Sequence, residues 1–426
     1  MKNLPLLLAH CSELFSYWLY RKHGIHAADK IAKAYFRERH YLGSKDRRFV
    51  RYLYYDMIRN LRLYRWQTAE LSGVNAEEIS PELLTVHACK RRYPEESRDA
   101  HFRIDDKIAG YFREYRYRDI YPEDPAVRGS VPGILWEKIK DAYPRRVLEA
   151  CFMTLNRAPA VHLRVNTLKT QPDELRNALR ELHPENARVS PSALRLGVHR
   201  DLSRHPLFLR GFFEFQDESS QLAAYACCPR PDETVADICA GGGGKSLHLS
   251  ALMNNKGSIL ATDRYPQRLG DLRKRLRRSG STNIRILPKE KLLADHRGRV
   301  DVLLADAPCS GSGVYRRAPD TKWDLTEAFL RSCVKEQTEI LNEAAEILRP
   351  GGRLVYATCS IIPEENEDQI ERFLREHPAF EPHPLRPSLL QYGIKIPGDP
   401  QEHMLQILPQ DFDSDGFFIA VMWKRS

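Results

Sequence analysis

The sequence predicts a protein of three domains: a helical domain over residues 1–125, a small α+β domain over 126–228, and an α/β domain with a parallel sheet over 229–426. Three observations predict this order. Apolar residues recur at helical spacing in the first region, short strand and helix patterns mix in the second, and strands alternate with helices in the third. A chain of 426 residues is also longer than one domain usually is.

The first region is predicted to be helical because Phe49, Leu53, Met57 and Leu61 are spaced to share one helix face. Basic and aromatic residues surround this stretch, namely Lys45, Arg47, Arg48, Arg51, Arg59, Arg62, Arg65, Tyr52, Tyr55, Tyr64 and Trp66. That mixture suits nucleic acid, because phosphates attract cations and bases stack on rings. A solvated helix face over a core explains the same pattern, so both interpretations stay open.

Strand patterns define the other two regions. In the second, we expect a helix over 135–142, a strand over 161–165 and a helix over 172–182. In the third, we expect parallel strands over 234–238, 258–262, 283–287, 300–305 and 353–357, then an antiparallel pair over 403–408 and 416–423. Alternating strands and helices predict a sheet with helices on both faces.

Composition narrows the class of protein. Hydrophobic residues make up 42% and charged residues 29%, which argues against long disorder or a fibrous chain. The 66 Lys and Arg exceed the 57 Asp and Glu and give a net charge of +9, which favours a polyanionic partner. No apolar run reaches the roughly 18 residues of a membrane helix, and Pro5 and Glu13 weaken a signal-peptide interpretation. We therefore expect a cytoplasmic protein without a membrane partner.

The nine cysteines include no C-x-x-C pair, and their number is odd. Such a set is a poor framework for disulfides and for zinc. We therefore expect reduced thiols, which leaves them available for chemistry, and no bound metal.

A glycine-rich loop follows the first strand of the α/β domain and leads into a helix. Its residues are Cys239, Ala240, Gly241, Gly242, Gly243, Gly244 and Lys245. Glycines in such a turn let the backbone approach a ligand closely, and Asp263 follows the second strand, where an acid accepts hydrogen bonds from ribose hydroxyls. A phosphate-binding P-loop does not match, because Cys239 stands where its first glycine is required. The sequence therefore predicts a nucleoside-containing cofactor.

Two cysteines follow the fourth and fifth strands: Cys309 in the stretch 306–313 and Cys359 in the stretch 356–366. Both belong at the cofactor edge, since ligands bind outside the carboxyl ends of parallel strands. A single cysteine is more often a small buried apolar residue, as expected for Cys151, Cys227 and Cys333. Two at corresponding strand ends favour a chemical role.

A thiol at this edge suits methylation of cytosine. Carbon 5 of cytosine is a poor nucleophile, but a thiolate added to carbon 6 makes it able to attack a sulfonium methyl group. The thiol must ionise from a pKa of about 8.5, which requires a favourable electrostatic setting. Asp306 is placed to hydrogen-bond the ring nitrogen that gains electron density, although capping of its own turn explains it too.

At these motifs the chain resembles the bacterial RsmB and eukaryotic Nop/Sun family of RNA cytosine-5 methyltransferases. The similar stretches are 237–245, 306–311 and 358–366, with 215–221 and 317–323 beside them, and the resemblance covers about 130–426. The start of the periodic helix, 44–49, looks like the NusB-type domain of RsmB-like members. The resemblance implies a Rossmann-like methyltransferase domain after a helical NusB-like domain.

The resemblance also implies roles for residues. Cys359 would be the nucleophile and Cys309 would assist product release, with Asp306 and Lys245 completing the catalytic set. S-adenosylmethionine would be held by residues 239–245 together with Asp263, Arg268 and Asp306. The RNA would be ribosomal RNA of the small subunit first and transfer RNA second, and we expect a monomer.

The chain departs from the family pattern in two places, and two other functions compete with the one that the resemblance implies. Gly242 stands where many members have Pro, and the turn tolerates this change because glycine is less restricted. The third strand ends at Leu287 and Pro288 without the acid that members usually carry near the adenine, and whether Glu290 takes its place is left open. A DNA cytosine-5 methyltransferase would use the Pro-Cys cysteine as nucleophile, whereas Thr358 and the cysteine after it favour RNA. A non-catalytic RNA-binding or ribosome-assembly factor of the same fold is the other rival, which a methyl-transfer assay would distinguish.

Overall fold

The computed structural model describes residues 4–20, 27–94, 110–111, 114–197 and 201–426. It separates into two compact units, one of residues 1–158 with 315–326 and the other of residues 159–314 with 327–426. Parts of the predicted helical region, at 1–3, 21–26, 95–109 and 112–113, lie outside the described residues. The three functional domains expected over 1–125, 126–228 and 229–426 stay a prediction, and each compact unit is described by itself.

The first unit is helical in its described part. Its helices are α1 (Leu4–Tyr20), α2 (Ala27–Glu38), α3 (Ser44–Arg59), α4 (Leu61–Ser72), α5 (Pro81–Arg92), α6 (Pro125–Arg128), α7 (Gly133–Ile139) and α8 (Arg145–Leu155). Phe49, Leu53, Met57 and Leu61 are all buried, so the predicted periodicity marks a true core face. Trp18 is fully buried in the same core, and together these side chains hold the helices against one another.

Only part of the basic and aromatic stretch around α3 is free to meet a partner. Lys45, Arg48 and Arg51 are exposed on α3. Several other members are committed to internal bonds: Arg47 donates to the carbonyl of Leu42, Arg59 to that of Arg316, Arg62 to that of Val131, and Tyr64 to the carboxylate of Asp56. The pattern therefore mixes a structural set with an exposed basic face, and an RNA-binding role for that face stays a prediction.

Residues 315–326 complete the first unit by capping its helices. The Trp323 indole donates to the carbonyl of Ile58 at 2.8 Å and Lys322 Nζ to that of Arg59 at 2.5 Å, in the last turn of α3. Lys322 Nζ also donates to the carbonyl of Ser130 and to Asn156 Oδ1, at 2.7 and 3.0 Å. Helix ends leave carbonyls without intrahelical partners, so these side chains satisfy groups that burial would otherwise strand. The burial of Lys322 holds its pKa well below the usual range.

The second unit begins with a small antiparallel sheet. Its elements are β1 (Val161–Val165), α9 (Pro172–Ala178), a 3₁₀ turn (Arg180–Leu182), β2 (Glu185–Asn186), β3 (Ala193–Leu196), α10 (Pro206–Leu209) and β4 (Phe213–Phe215). The strand order is β2-β3-β1-β4. The strand predicted over 161–165 matches β1 at both ends, and the helix predicted over 172–182 ends in the 3₁₀ turn.

The larger sheet of this unit has a parallel centre. Its strands are β5 (Thr234–Asp237), β6 (Ser258–Ala261), β7 (Ile284–Ile286), β8 (Val300–Asp306), β9 (Leu348–Thr358), β10 (Phe380–Pro382), β11 (Met404–Ile407) and β12 (Phe417–Lys424). The order is β10-β12-β9-β8-β5-β6-β7, with β11 beside β12. Strands β5 to β9 run parallel, and the predicted antiparallel pair is β11 with β12. Chain order reverses between β5 and β8, which is where such sheets bind ligands.

Helices accompany the strands of the larger sheet, as alternation predicts. They are α11 (Glu218–Ala226), α12 (Gly244–Leu252), α13 (Leu269–Ser279), α14 (Lys289–His296), α15 (Glu327–Ile347), α16 (Glu367–Glu376), α17 (Leu385–Leu390) and α18 (Pro409–Phe412). Two buried clusters contain sheet residues, one including Val235, Val302 and Val355 and the other including Ala236, Leu303 and Tyr356. Because neighbouring residues of a strand point to opposite faces, both faces of the sheet are covered. In the described part of the chain no helix is long and apolar enough to cross a membrane.

Candidate active site

A cleft opens at the carboxyl ends of β5, β6 and β8, at the reversal of strand order. Of the residues expected at the site, its lining contains Cys239, Ala240, Gly241, Gly242, Gly244, Lys245, Asp263, Arg268, Asp306, Cys309 and Cys359. Three separate sequence motifs thus meet in one cavity. Gly243 is not among the lining residues, and its expected contact with the cofactor stays a prediction.

The glycine loop turns sharply between β5 and α12. Gly241 and Gly243 have φ angles of 50° and 80°, a region that side-chain-bearing residues rarely adopt. A Cβ on Gly243 would lie 2.2 Å from Leu272 of α13, so this position needs glycine for packing. A Cβ on Gly241 would meet nothing closer than 3.9 Å. The loop backbone at Gly241 is therefore open to a ligand.

Asp263 braces the glycine loop from the end of β6. Its Oδ2 accepts from the amide of Gly241 at 2.9 Å, and its Oδ1 accepts from the amide of Tyr265 at 2.8 Å. Each carboxylate oxygen keeps a second lone pair for a ligand hydroxyl. Arg268 lies beside it, with its guanidinium 4.7 Å from the centroid of the Tyr265 ring. This arrangement fixes an acidic acceptor at the cleft wall.

Lys245 and Asp306 form an ion pair across the cleft floor. Lys245 Nζ donates to Asp306 Oδ2 at 2.6 Å and to Ser220 Oγ at 3.0 Å, and it lies 5.1 Å from the centroid of the Phe417 ring. The Asp306 side chain is 30% exposed. The lysine thus fixes the orientation of a carboxyl group that still faces the cavity.

The two cysteines lie together beside this pair. The Sγ atoms of Cys309 and Cys359 are 3.3 Å apart, and the amide of Gly313 donates to the carbonyl of Cys359 at 2.9 Å. The hydrogen bond to Cys359, and then burial, raise the pKa of the Cys309 thiol well above its usual value. The raised pKa favours the protonated form of Cys309, whose thiol can donate to the sulfur of Cys359.

Glu365 joins the two cysteine turns, a role that the sequence alone did not show. Its Oε2 accepts from the hydroxyls of both Ser310 and Ser360 at 2.5 Å, and its Oε1 accepts from the Ser310 amide at 2.7 Å and from Gln337 Nε2 at 3.1 Å. Ser310 and Ser360 each follow one of the cysteines. Burial raises the pKa of Glu365, and these donors oppose that shift. One carboxylate thus fixes the separation of the two thiols.

Asp237 is a second acid of the site that sequence reasoning left without a role. It lies at the end of β5, lines the cleft, and accepts from the hydroxyl of Ser246 at 2.6 Å. Burial raises its pKa to about 7, partly offset by the Ser246 bond and reinforced by Asp306. Its position at the end of a predicted strand, directly before the glycine loop, was the sequence feature that could have marked it as a site residue.

After the third strand, the cleft is lined by a basic residue and not by the acid usual in the family. Glu290 lies outside the cleft lining and faces a neighbouring depression. Lys289 and Glu343 of α15 line the cleft instead and form an ion pair of 2.5 Å. The carboxylate at this end of the cavity thus comes from a helix about 50 residues further along the chain, not from the β7 turn.

Comparisons with known proteins show which families, sequences and structures this chain resembles. The family described as 16S rRNA methyltransferase RsmB/F matches residues 224–423, and the RsmF/B-like ferredoxin-like domain matches 131–203. A probable ribosomal RNA small subunit methyltransferase B of Synechocystis is 35% identical over 69% of this chain and 67% of its own length. The ribosomal RNA small subunit methyltransferase B of Shewanella oneidensis is 31% identical over 91% of this chain and 93% of its own. A crystal structure of a methyltransferase homologue from Pyrococcus horikoshii covers 71% of this chain and 98% of its own, with 29% identity and a TM-score of 0.59.

Proposed function

The chain belongs to the RsmB/F family of methyltransferases, and from that premise we propose that it methylates carbon 5 of a cytosine in small-subunit ribosomal RNA. The observation that carries the proposal is the pair of thiols 3.3 Å apart at the edge of a cleft that the glycine loop shares. Covalent catalysis on a pyrimidine needs a nucleophile and a second group to assist its release. Both are present at neighbouring strand ends.

The cleft lining suits S-adenosylmethionine as the methyl donor. The open backbone at Gly241 and the braced carboxylate of Asp263 offer partners for a nucleoside, and the Lys289–Glu343 pair offers polar groups at the far end. Arg268 and the other loop residues that line the cleft would contact it as well. When bound, this cofactor supplies an electrophilic methyl group on a sulfonium.

Cys359 would begin the reaction by bonding its sulfur to carbon 6 of the cytosine. This bond makes carbon 5 nucleophilic, and the proton of the Cys359 thiol would pass to the ring nitrogen that gains electron density. That nitrogen would then donate a hydrogen bond to the Asp306 carboxylate, which Lys245 holds at 2.6 Å. Carbon 5 would then bond the donor's methyl carbon while the bond between that carbon and the sulfonium sulfur breaks, which leaves a neutral thioether. The charged groups are fixed before the base arrives, so little reorganisation is needed during the reaction.

Release of the product would use Cys309. The proton on carbon 5 must leave while the carbon 6–sulfur bond breaks and the Cys359 thiolate departs. The sulfur of Cys309 lies 3.3 Å from the departing sulfur, so we assign a proton relay to Cys309: its thiol proton passes to the departing Cys359 sulfur, and the Cys309 sulfur then takes the proton from carbon 5. Two thiols held this closely serve one covalent cycle.

Isotope-labelled methyl transfer from S-adenosylmethionine to ribosomal RNA tests the proposal. We expect label in 5-methylcytosine of small-subunit RNA taken from cells that lack this gene, and no label in RNA that is already modified. Mapping would then give the position. Label in transfer RNA alone would show that the substrate is transfer RNA and not ribosomal RNA. No transfer to any RNA would refute the activity. A cytoplasmic, monomeric protein is part of the same proposal.

A further inference from the structure

The second unit carries a basic surface near the cleft. Arg277 and Arg278 lie in the last turn of α13, Lys169 follows β1, and Arg210 follows α10. These four cations line one shallow depression together with Leu209 and Phe212. They come from three separate segments of the chain, so their clustering is a product of the fold.

A groove connects this depression to the cleft. It shares Arg278 with the depression, and it shares Phe215, Gly242 and Arg275 with the cleft. The path therefore runs without interruption from the glycine loop to the basic depression. A polymer whose target base enters the cleft could continue along it.

The surface has an excess of positive charge. Arg275 and Arg278 pair with Glu214, at 2.8 and 2.7 Å. In contrast, within the described part of the chain no carboxylate lies within ion-pair distance of Lys169, Arg210 or Arg277. Unneutralised cations in a row attract a polyanion and release its counterions on binding.

The cations are held in place before any ligand arrives. Asn166 Nδ2 donates to the carbonyls of Gly211 and Ser279, at 2.8 and 2.7 Å, and so ties the segment after α10 to the end of α13. Lys169 Nζ donates to the carbonyl of Arg210 at 2.7 Å. A Cβ on Gly211 would lie 2.1 Å from the carbonyl oxygen of Arg278, so the two backbones are packed closely. Such preorganisation lowers the entropy that binding loses.

An aromatic ring stands where the groove meets the cleft. Phe215 is 38% exposed, and its ring centroid lies 5.1 Å from that of Phe208. The guanidinium of Arg278 lies 3.9 Å from the Phe208 ring. Exposed rings beside cations are the usual platform for unpaired bases, and a duplex would not present its base faces here.

We propose that this flanking-strand surface, formed by Lys169, Arg210, Phe215 and Arg277, binds a single-stranded RNA segment adjacent to the target cytosine. The three cations contact backbone phosphates, and Phe215 stacks on one base. The inference rests on the proposed function, since it takes the substrate to be RNA. It adds the location of the RNA and the requirement that the target be unpaired at its flank.

Charge reversal in the full-length protein tests the surface. The variant Arg210→Glu with Arg277→Glu changes two exposed residues that lie outside the catalytic set. Its matched control is Arg375→Glu with Lys395→Glu, the same charge change at two exposed residues. Arg375 is in the last turn of α16 and Lys395 follows α17. The probe is an unmodified transcript of small-subunit ribosomal RNA, and the readouts are its Kd over a range of salt, together with KM and kcat.

We expect the reversed variant to lose at least about tenfold in RNA affinity at low salt and roughly 1.4 from the log-log salt slope, since a single-strand phosphate contact contributes about 0.7. KM for RNA rises, whereas kcat at saturating RNA and the Kd for S-adenosylmethionine stay unchanged. The variant Arg210→Lys with Arg277→Lys keeps the charge and restores the wild-type slope. The control variant also keeps the wild-type salt slope.

Unchanged RNA affinity in the reversed variant would overturn the inference, as would an equal loss in the control variant, which would indicate a general effect of net charge. Retained RNA affinity with a lost protein partner would assign the surface to that protein instead, and the inference would be wrong. If the wild type transfers no methyl group to RNA, the proposed function fails, whereas the salt slopes still report whether this surface binds RNA.

Discussion

The Sγ atoms of Cys309 and Cys359 lie 3.3 Å apart, at the ends of two neighbouring parallel strands. The hydrogen bond with Cys359, and then burial, raise the pKa of the Cys309 thiol, and we assign the attack on carbon 6 to Cys359 and the release step to Cys309. Each thiol therefore has its own place in the catalytic cycle, and substitution of one should not mimic substitution of the other.

Cys359→Ala should abolish methylation while cofactor affinity stays close to the wild-type value. The thiolate enters the reaction, but the described partners of the loop and of Asp263 do not depend on it. Methyl transfer and calorimetry with S-adenosylmethionine measure the two effects separately. Substantial turnover by this variant would remove Cys359 from the nucleophilic role.

Cys309→Ala should trap the enzyme on RNA. The covalent bond to carbon 6 still forms, but removal of the carbon 5 proton and departure of the Cys359 thiolate are slowed. A band of retarded mobility that survives denaturant should appear with RNA and S-adenosylmethionine. The double variant with Cys359→Ala is the control and should give no band. Absence of the band from the single variant would argue against a release role.

Glu365→Gln should lower kcat by about ten- to a hundredfold, on the scale of a misplaced catalytic group. The amide cannot accept from both serine hydroxyls and the Ser310 amide in the same way, so the turns that carry the cysteines lose their common anchor. The pH profile of Cys309 alkylation should shift as well, because Glu365 contributes to the raised pKa of that thiol after the Cys359 hydrogen bond and burial. A merely destabilising change would not cause this shift. Glu371→Gln, an exposed neighbour on α16, is the matched control and should leave both readouts unchanged.

Asp263→Ala should weaken S-adenosylmethionine binding by about 1 to 3 kcal/mol, the scale for a stranded hydrogen-bonding group. The substitution removes the acceptor of the Gly241 amide and the predicted partner of the ribose. Calorimetry measures the affinity, and a thermal melt of the unliganded protein checks that the loop still folds. An unchanged Kd would place the ribose elsewhere.

Asp237 should make the unliganded protein less stable as the pH rises from about 4 to about 7. Burial raises its folded-state pKa from the ordinary 3.8 to about 7, so the folded protein binds a proton that the unfolded chain has released. The stabilisation is complete below the unfolded pKa and is lost as pH rises through the folded one. The shift corresponds to roughly 4 kcal/mol at most. Denaturant unfolding of the wild type and of Asp237→Asn at several pH values should show a steeper slope in the wild type, because other buried acids such as Glu365 contribute equally to both proteins.

Much of the larger sheet could be predicted from the sequence because its parallel strands are short apolar runs that end in chemistry-bearing turns. The strand predicted over 353–357 is longer in the structure, Leu348–Thr358. The cysteine pair was predictable because strand ends of one sheet share an edge. Glu365 was not, because its link to Ser310 spans 55 positions and depends on packing that no local pattern records.

The basic stretch around α3 in the first unit could be predicted less well than the larger sheet. The sequence does not show whether an arginine side chain faces solvent or donates to a backbone carbonyl. In the structure, Arg47, Arg59 and Arg62 donate to carbonyls. Only the positions left exposed can select a partner. Composition therefore indicated the class of ligand but not which cations are available to it.

The capping of α3 by Lys322 and Trp323 has a consequence for the order of synthesis. Residues 1–158 leave the ribosome long before residues 315–326, which belong to the same compact unit. At about 5 to 20 residues per second, the interval between them lasts on the order of ten to thirty seconds. During that time the carbonyls of Ile58, Arg59 and Ser130 lack their final donors, so the nascent helical unit stays incomplete until a segment that lies more than a third of the chain further on has been made.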